Sequence, residues 1–557
     1  MTRSFVFSIK ILDEAFIPGE GRKCKKTARI SFLDENNKVY NVKDYGVLDK
    51  EDVYKDIKAG KHIILDNCYI KDFTLNEFRQ KQKLDKTYQV EINELSAYNT
   101  FFDSKNITDF CHSLILGEGV RFTNSIFGNG KVSFFECKFE KGTVDFSNTK
   151  FSKDDIDFQY TEFGKVDITF ENAEFFGGDI SFVNTHFGDG SVNFKNVYFG
   201  EGDLSFEFST FAQGDISFER SVFTGRRVDF RKVEFGEGKI DFRRCDFGDA
   251  ALTFEESELK LGKVNFRRTI FNNASVSFEL AEFGTSEISF ERSELGQTKF
   301  SFYNATFDTI SYKSCRLSNY VDLRVNQCKV IDLRDTIIRD IVDLMPGDSN
   351  VAVDIIYFTG IRSLGRMFVD WRKNDLSKTI KRQEDSSLAQ KTEQFRILKE
   401  EFRRSEMYED EDKAYIEFKR MEMKAEKEKL LSINKWNAVW WYPNSWSRIL
   451  IFDWMGLYAT DPLRVLLSLV ITYVLFSLSF VGIIEFMDAD IVSAVGDPDK
   501  MGVWSRSFYH SGITFLTIGY GDFYPTKFIR WWSNVEGFVG VFMMSYFVVA
   551  FVRKILR

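Results

Sequence analysis

Residues 144–155 read VDFSNTKFSKDD and residues 180–191 read ISFVNTHFGDGS, and the two stretches share one twelve-residue pattern. Phenylalanine recurs at every twelfth position from Phe122 through Phe134, Phe146 and Phe158 to Phe302, sixteen copies without a miss. A second register runs from Phe127 to Phe307 and fails only at Leu259 and Leu295. Two residues before each first-register Phe stands Val, Ile or Leu, as at Val132, Val144, Ile156 and Ile180, until the last copy, where it is Phe300. The unit is V-x-F-x-x-x-x-F-G-x-G-x. A short fixed period of this kind predicts stacked repeats, each burying its apolar face against the next. Alternating V-x-F reads as strand, and the glycine pairs read as turns.

One unit per turn would crowd two rings and an aliphatic side chain into a very thin coil. Two units per turn, 24 residues, give a four-sided coil with room for the rings. Phe-to-Phe spacing is five and then seven, or two pentapeptides plus two turn residues, and the region resembles the pentapeptide-repeat family. Further along, the extra pair is dropped: Phe307, Tyr312 and Leu317 are five apart, as are Leu323, Cys328, Leu333 and Ile338. The resemblance covers residues 115–345 and implies a right-handed parallel β-solenoid. Sixteen units make eight coils, and at ~4.8 Å per stacked layer the rod is about 38 Å long. The segments FGNGK, FGDGS, FGEGD and FGEGK look like phosphate-cradling loops, but no helix or G-K-[ST] follows them, so they are assigned to solenoid corners. The variable positions carry no fixed carboxylate or histidine pair, hence no catalytic constellation. Residues 1–114 are expected to form a β-containing cap.

The remaining composition narrows the function classes. The 557 residues include 60 Phe but 6 Pro, and 75 basic against 83 acidic side chains give a net charge of −8. That acidic balance argues against a nucleic-acid partner. Seven scattered cysteines (Cys24, Cys68, Cys111, Cys137, Cys245, Cys315, Cys328) form no C-x-x-C pair and no metal-ligand spacing with His62, His112, His186 or His510. They read as reduced structural thiols in a cytosolic domain, with no metal site beyond a permeant ion. The opening stretch MTRSFVFSIKILDEAF is broken by charges too early for a secretory signal. No nucleophile, metal cluster or nucleotide fingerprint is present, so an enzyme is not expected, nor an organic cofactor.

Beyond Gly365 the pattern turns helical. Phe395, Leu398 and Phe402 follow 3–4 spacing, a second stripe runs Ala414, Phe418, Met421 and Ala425, and the break at MYEDED predicts a helical hairpin within residues 346–435. Five Trp between Trp436 and Trp454 fill residues 436–462, which suits a membrane-interface belt. Residues 465–484 (VLLSLVITYVLFSLSFVGII) are uncharged for the length needed to cross a bilayer. Residues 532–551 form a second such run, with Glu536 its only charge. Between them, Trp504 to Leu516 is too short to span and suits a re-entrant half-helix, followed by Thr517, Ile518, Gly519, Tyr520, Gly521 and Asp522. Irregular backbone is tolerated at membrane depth only where protein encloses a pore.

The stretch TFLTIGYGDFYP resembles the pore-helix end and selectivity filter of two-transmembrane potassium channels, over residues 463–557. The resemblance implies K⁺ as permeant ion, bound by Thr517, Ile518, Gly519, Tyr520, Gly521 and Asp522. Dehydrated K⁺ is recoordinated by rings of backbone carbonyls, and Gly519 and Gly521 permit the backbone angles that this requires. Tyr520 and Ile518 are expected to point outward and pack against the pore helix. Thr514 matches a pore-helix threonine of the family, and Gly540 sits where such channels often carry a gating hinge, with close helix packing as the alternative. Ile513 departs from members that place a carboxylate behind the filter, and Leu516 replaces a frequent Thr. Glu536 is a functional candidate as an intramembrane charge, with interfacial exposure as the alternative.

Arg464 precedes the first run and Arg553, Lys554 and Arg557 follow the second, whereas Asp488, Asp490, Asp497 and Asp499 lie between. Positive-inside bias predicts a multi-pass protein of the cell membrane with both termini cytosolic. One chain supplies one filter strand, so a homotetramer in the lipid bilayer is implied. No voltage-sensor helix with spaced arginines and no Rossmann-type regulatory domain is visible, which leaves the solenoid as candidate sensor for an unidentified ligand or protein partner. The expected function is a potassium-selective channel with a cytosolic sensing or gating solenoid. The alternative is a membrane-tethered pentapeptide-repeat scaffold.

Overall fold

The computed structural model describes all residues except 1–4, 19–21, 347–352, 434–436, 495, 497–499 and 557, with 437–440 in backbone only. Trp436, Asp497, Asp499 and Arg557, named above, lie outside the described residues. The chain forms two compact units, residues 1–384 and 385–557.

The first unit opens with an antiparallel meander of β1 (Val6–Leu12), β2 (Thr27–Leu33) and β3 (Val39–Leu48). The end of β3 then starts a parallel ladder, Gly46 pairing with Cys68 and Leu48 with Ile70. Through the repeat the register advances by one coil at a time: Ile156 faces Ile180, Ile180 faces Leu204, and Ile168 faces Val192. Each 24-residue coil contributes four short strands, for example Ile180–Ser181, His186–Phe187, Val192–Asn193 and Tyr198–Phe199, one to each side.

The phenylalanines fill the interior as columns. Phe182 and Phe206 stack with centroids 4.8 Å apart and planes 4° from parallel, the spacing of the strands themselves. Across the coil Phe206 meets Phe218 edge-on at 6.1 Å and 86°. Each contact adds about 0.5–1.5 kcal/mol beyond the area it buries. Beside the rings runs a column of small polar residues that ties the coils together. Thr161 Oγ1 donates to the Phe134 carbonyl at 2.8 Å and Thr269 Oγ1 to that of Phe242 at 2.7 Å. Cys245 and Cys315 occupy the same slot, their sulfurs donating to the Phe218 and Phe290 carbonyls at 2.9 Å. Burial pushes the Cys315 thiol up to about 12, as befits an inert structural sulfur. Cys24 differs: the Cys68 thiol donates to its sulfur and holds it at about 7.

The glycines lie at the corners, and some are themselves left-handed, as Gly142 (φ 93°) and Gly178 (φ 70°) are. A further left-handed residue is the second after each first-register Phe, as at Asn184 (φ 54°) and Phe208 (φ 59°). Gly190 instead makes room for the neighbouring coil, since a Cβ there would lie 1.8 Å from the Val166 carbonyl oxygen.

The ladder does not stop at residues 115 and 345. It runs from Gly46 to Phe368, about 13 turns rather than eight. The early coils lack the Phe period because α1 (Lys50–Lys58) and α2 (Leu75–Gln82) interrupt them. Residues 1–114 are therefore cap and coil together. At the other end the coil shortens to 21 residues, Phe300 facing Val321 and Val321 facing Val342. There the Phe column gives way to other side chains, Phe307 facing Cys328 and Cys328 facing Val353, while the aliphatic column continues as Ile310, Ile331 and Ile356. α3 (Leu376–Lys381) closes this end, with Asn374 Nδ2 donating to the Leu344 carbonyl at 2.8 Å and Gln383 Nε2 to that of Ile356 at 2.7 Å. Covering the last coil in this way protects what would otherwise be an open sheet edge.

The second unit is helical. α4 (Leu388–Arg404) starts at a capping box of Ser387 and Gln390 and packs antiparallel to α5 (Tyr408–Ile433). Phe395, Leu398 and Phe402 are buried along α4, and Ala414 and Met421 along α5, while Phe418 and Ala425 are half-buried. α6 (Asn437–Arg448) continues into a π-helical turn, Ile449–Trp454, on which Trp454 is 69% exposed, like Trp446 at 74% on α6. Leu457, Tyr458 and Ala459 then adopt left-handed backbone in succession, an elbow before the next helix. α7 (Pro462–Phe486) is capped by Asp461, whose carboxylate accepts the Arg464 N–H at 3.1 Å, with Pro462 at the first helical position. α8 (Val503–Phe515) and α9 (Ile529–Ile555) complete the unit. α7 and α9, with mean hydropathy 2.3 and 2.0, are long and apolar enough to cross a membrane. The thirteen residues of α8 reach only about 20 Å.

Candidate functional site

The TIGYGD segment hangs from the C-terminal end of α8. Helix α8 ends because Leu516, Thr517 and Ile518 bond back to it, Thr517 N to the Thr514 carbonyl at 3.1 Å and Ile518 N to that of Ile513 at 2.8 Å. From there the backbone alternates. Thr517 (φ 56°), Gly519 (φ 65°) and Gly521 (φ 75°) are left-handed, while Ile518 and Tyr520 between them are not. Alternating handedness turns successive peptide carbonyls to one side of the strand. Two of the three left-handed positions are glycine, the residue that takes this conformation without penalty. A Cβ on Gly519 or Gly521 would meet nothing within 4 Å, so conformation rather than space selects glycine there.

The far end of the segment is anchored. Asp522 accepts a hydrogen bond from the Tyr509 hydroxyl at 2.7 Å, and its carbonyl accepts the Ala494 N–H at 2.7 Å. Beyond it Phe523–Pro525 pairs antiparallel with Ile491–Ser493, fixing the loop between α7 and α8 to the loop before α9. Thr526 Oγ1 accepts the Asp490 N–H at 2.8 Å, and Arg506 pairs with the Asp490 carboxylate at 3.1 Å. Lys527 bonds to Asp488, which holds that carboxyl below its usual range. Ile518 and Tyr520 are 48% and 71% exposed. Within this chain α8 does not cover them, because the segment departs from its tip.

The other site residues meet at the contact between α8 and α9. Glu536 is wholly buried and accepts a hydrogen bond from Ser511 Oγ, which excludes the interfacial-exposure alternative for this charge. One turn away His510 Nε2 and Ser533 Oγ lie 2.9 Å apart. A Cβ on Gly540 would lie 2.1 Å from the Phe515 carbonyl oxygen, so this glycine is a point of close helix approach. Thr514 is half-buried beside Gly537, whose missing Cβ would sit 3.9 Å from it. Ile513 is buried. Sequence reasoning missed Tyr509, His510, Ser511 and Ser533. The register of α8 against α9 makes partners of the last three, and Tyr509 meets Asp522 through the return of the loop; no local spacing encodes either.

A family model described as "Ion channel" matches residues 467–557, from within α7 through α8 and the TIGYGD segment to the end of α9. No curated protein and no solved structure matches the chain. The chain thus carries an ion channel domain with two helices able to cross a membrane, preceded by a β-solenoid.

Proposed function

We propose that the chain is one subunit of a homotetrameric, potassium-selective channel of the cell membrane, with both termini and the solenoid in the cytosol. The observation that carries this reading is the TIGYGD segment, with Thr517, Gly519 and Gly521 left-handed, on a half-length helix between two membrane-capable helices. Four such strands around an axis present rings of carbonyls that replace the hydration shell of K⁺. Thr517 through Asp522 bind the ion, Thr514 supports the turn from α8, and Gly540 seats α9 against the last turn of α8. The positive residues Arg464 at the start of α7 and Arg553 and Lys554 at the end of α9 support the cytosolic placement of both termini. The solenoid biases the gate in response to a ligand or protein partner. Reversal potentials of the purified protein in bilayers test the reading: K⁺ permeates well above Na⁺, and equal permeabilities defeat it.

A further inference from the structure

The α8–α9 contact combines two kinds of feature that rarely coincide inside an apolar helix pair. Gly540 of α9 lets α8 approach closely, the Phe515 carbonyl occupying the space a side chain would take, while a Cβ at Gly537 would only touch Thr514 at 3.9 Å. Beside them two polar pairs cross the contact, Ser511 to Glu536 and His510 to Ser533. Both helices run inward from the same side, so successive α8 residues 510, 511 and 515 meet successive α9 residues 533, 536 and 540. Glu536 and Ser511 are wholly buried, and the second oxygen of the Glu536 carboxyl has no partner among the described residues. A carboxyl is costly at such a place, and a helix pair of this composition would associate without one. Its single bond goes to the helix whose last turn, through Ile513 and Thr514, carries the backbone bonds that hold Thr517 and Ile518.

We infer that Glu536 is a positioning residue: its carboxyl, through Ser511, fixes the rotation and depth of α8 and so the placement of the Thr517–Gly521 carbonyls. This rests on the ion-pathway reading of that segment. Gly540 removes the side chain that would otherwise set the depth of α8, and the directional bond from Ser511 to Glu536 fixes it instead. Four copies of the latch act on one ring of carbonyls, so a small shift of α8 is felt at every ion position at once.

The test uses the full-length chain in phosphatidylcholine–phosphatidylglycerol vesicles, with K⁺-to-Na⁺ permeability ratio, single-channel conductance and assembly by size-exclusion chromatography as readouts. Glu536→Ala and Ser511→Ala each lower the permeability ratio about tenfold, the loss of one hydrogen bond to an acidic group. The double variant loses no more than either single, because both changes remove the same bond. Glu536→Gln, whose amide oxygen still accepts from Ser511, stays within about twofold of the unchanged protein. An assembled Glu536→Ala channel with unchanged ratio and conductance overturns the inference, as do additive effects in the double variant. Should Glu536→Ala fail to assemble, Ser511→Ala against Glu536→Gln decides by the same ratio. An unchanged protein with no preference for K⁺ defeats the selectivity reading alone. Conductance of the variants then decides the role of Glu536.

Discussion

Gly519 and Gly540 show two distinct reasons for the same residue type within one small domain. At Gly519 the backbone is left-handed and the space around the missing Cβ is open, whereas at Gly540 the helix is regular and the space is taken by a carbonyl. Gly519→Ala therefore adds a conformational penalty of about 1–2 kcal/mol per subunit. Over the four subunits of the proposed tetramer, that penalty predicts loss of K⁺ flux with assembly intact. Vesicle flux and size-exclusion chromatography measure the two together. Normal flux in the assembled variant shows that this turn does not line the ion path. The TIGYGD segment was legible in the sequence because what it requires is local, a backbone conformation written in residue types. Glu536 was legible too, as one charge in an apolar run. Its partner Ser511 was not, because a serine on a short helix signals nothing until the facing helix is in register.

At the scale of elements, the solenoid repeat and the helical hairpin were both visible in spacing, and both were found where the spacing put them. The limits of the solenoid were not. Phe marks a coil only where both ring registers are filled. The first coils, carrying α1 and α2, and the last ones, with Cys328 and Val353 in a Phe column and 21-residue turns, close the same ladder with different side chains. The filled columns also set the energetics. Phe206 is fully buried, stacked at 4.8 Å on Phe182 and at 4.9 Å on Phe230. Phe206→Ala empties one storey of the column and costs about 3–5 kcal/mol. Thermal unfolding of residues 1–384 reads this out, and an unchanged Tm means the columns do not hold the coils together.

A second element contact was invisible in the sequence, and it bears on gating. Arg553, near the end of α9, donates to Asp412 on α5 at 2.9 Å, reaches the Tyr458 carbonyl at 3.3 Å and lies 4.6 Å over the Tyr415 ring. Arg420 of α5 in turn holds Asp453 at 2.8 Å, and Tyr546 of α9 accepts the Ala459 N–H at 3.1 Å. The elbow and α5 thus grip the last turns of α9 through directional bonds on three sides. Asp412→Asn leaves the shape but removes the charge that Arg553 and Lys554 share. A loss of about 1 kcal/mol here changes the closed-to-open ratio about fivefold. Single-channel open probability in bilayers measures it. An unchanged value separates this grip from the gate.

For the whole molecule, the question is whether a 13-turn solenoid acts on a channel domain of two long helices. No Gly/Ser-rich segment lies between Leu388 and Pro462, and helices α4, α5 and α6 occupy most of that span. Linkers of helical composition transmit displacement, whereas Gly/Ser-rich coils absorb it. Within the second unit, α4 packs along α5, and α5 ends the sequence of contacts on α9 at Asp412 and Arg553. A load applied at the start of α4 therefore has a bonded route to the last turns of α9. Such a route has physical content only if the element it reaches has two states whose balance it shifts. This predicts that a shortened chain starting at Asp385, the first residue of the second unit, still assembles, because α7 to α9 are all retained. Its open probability differs from that of the full chain, because the load on α4 is gone. Paired single-channel records of the two chains in the same bilayers measure the difference. If open probability matches across voltage and ionic conditions, the solenoid does not bias the gate, and its role is docking or assembly.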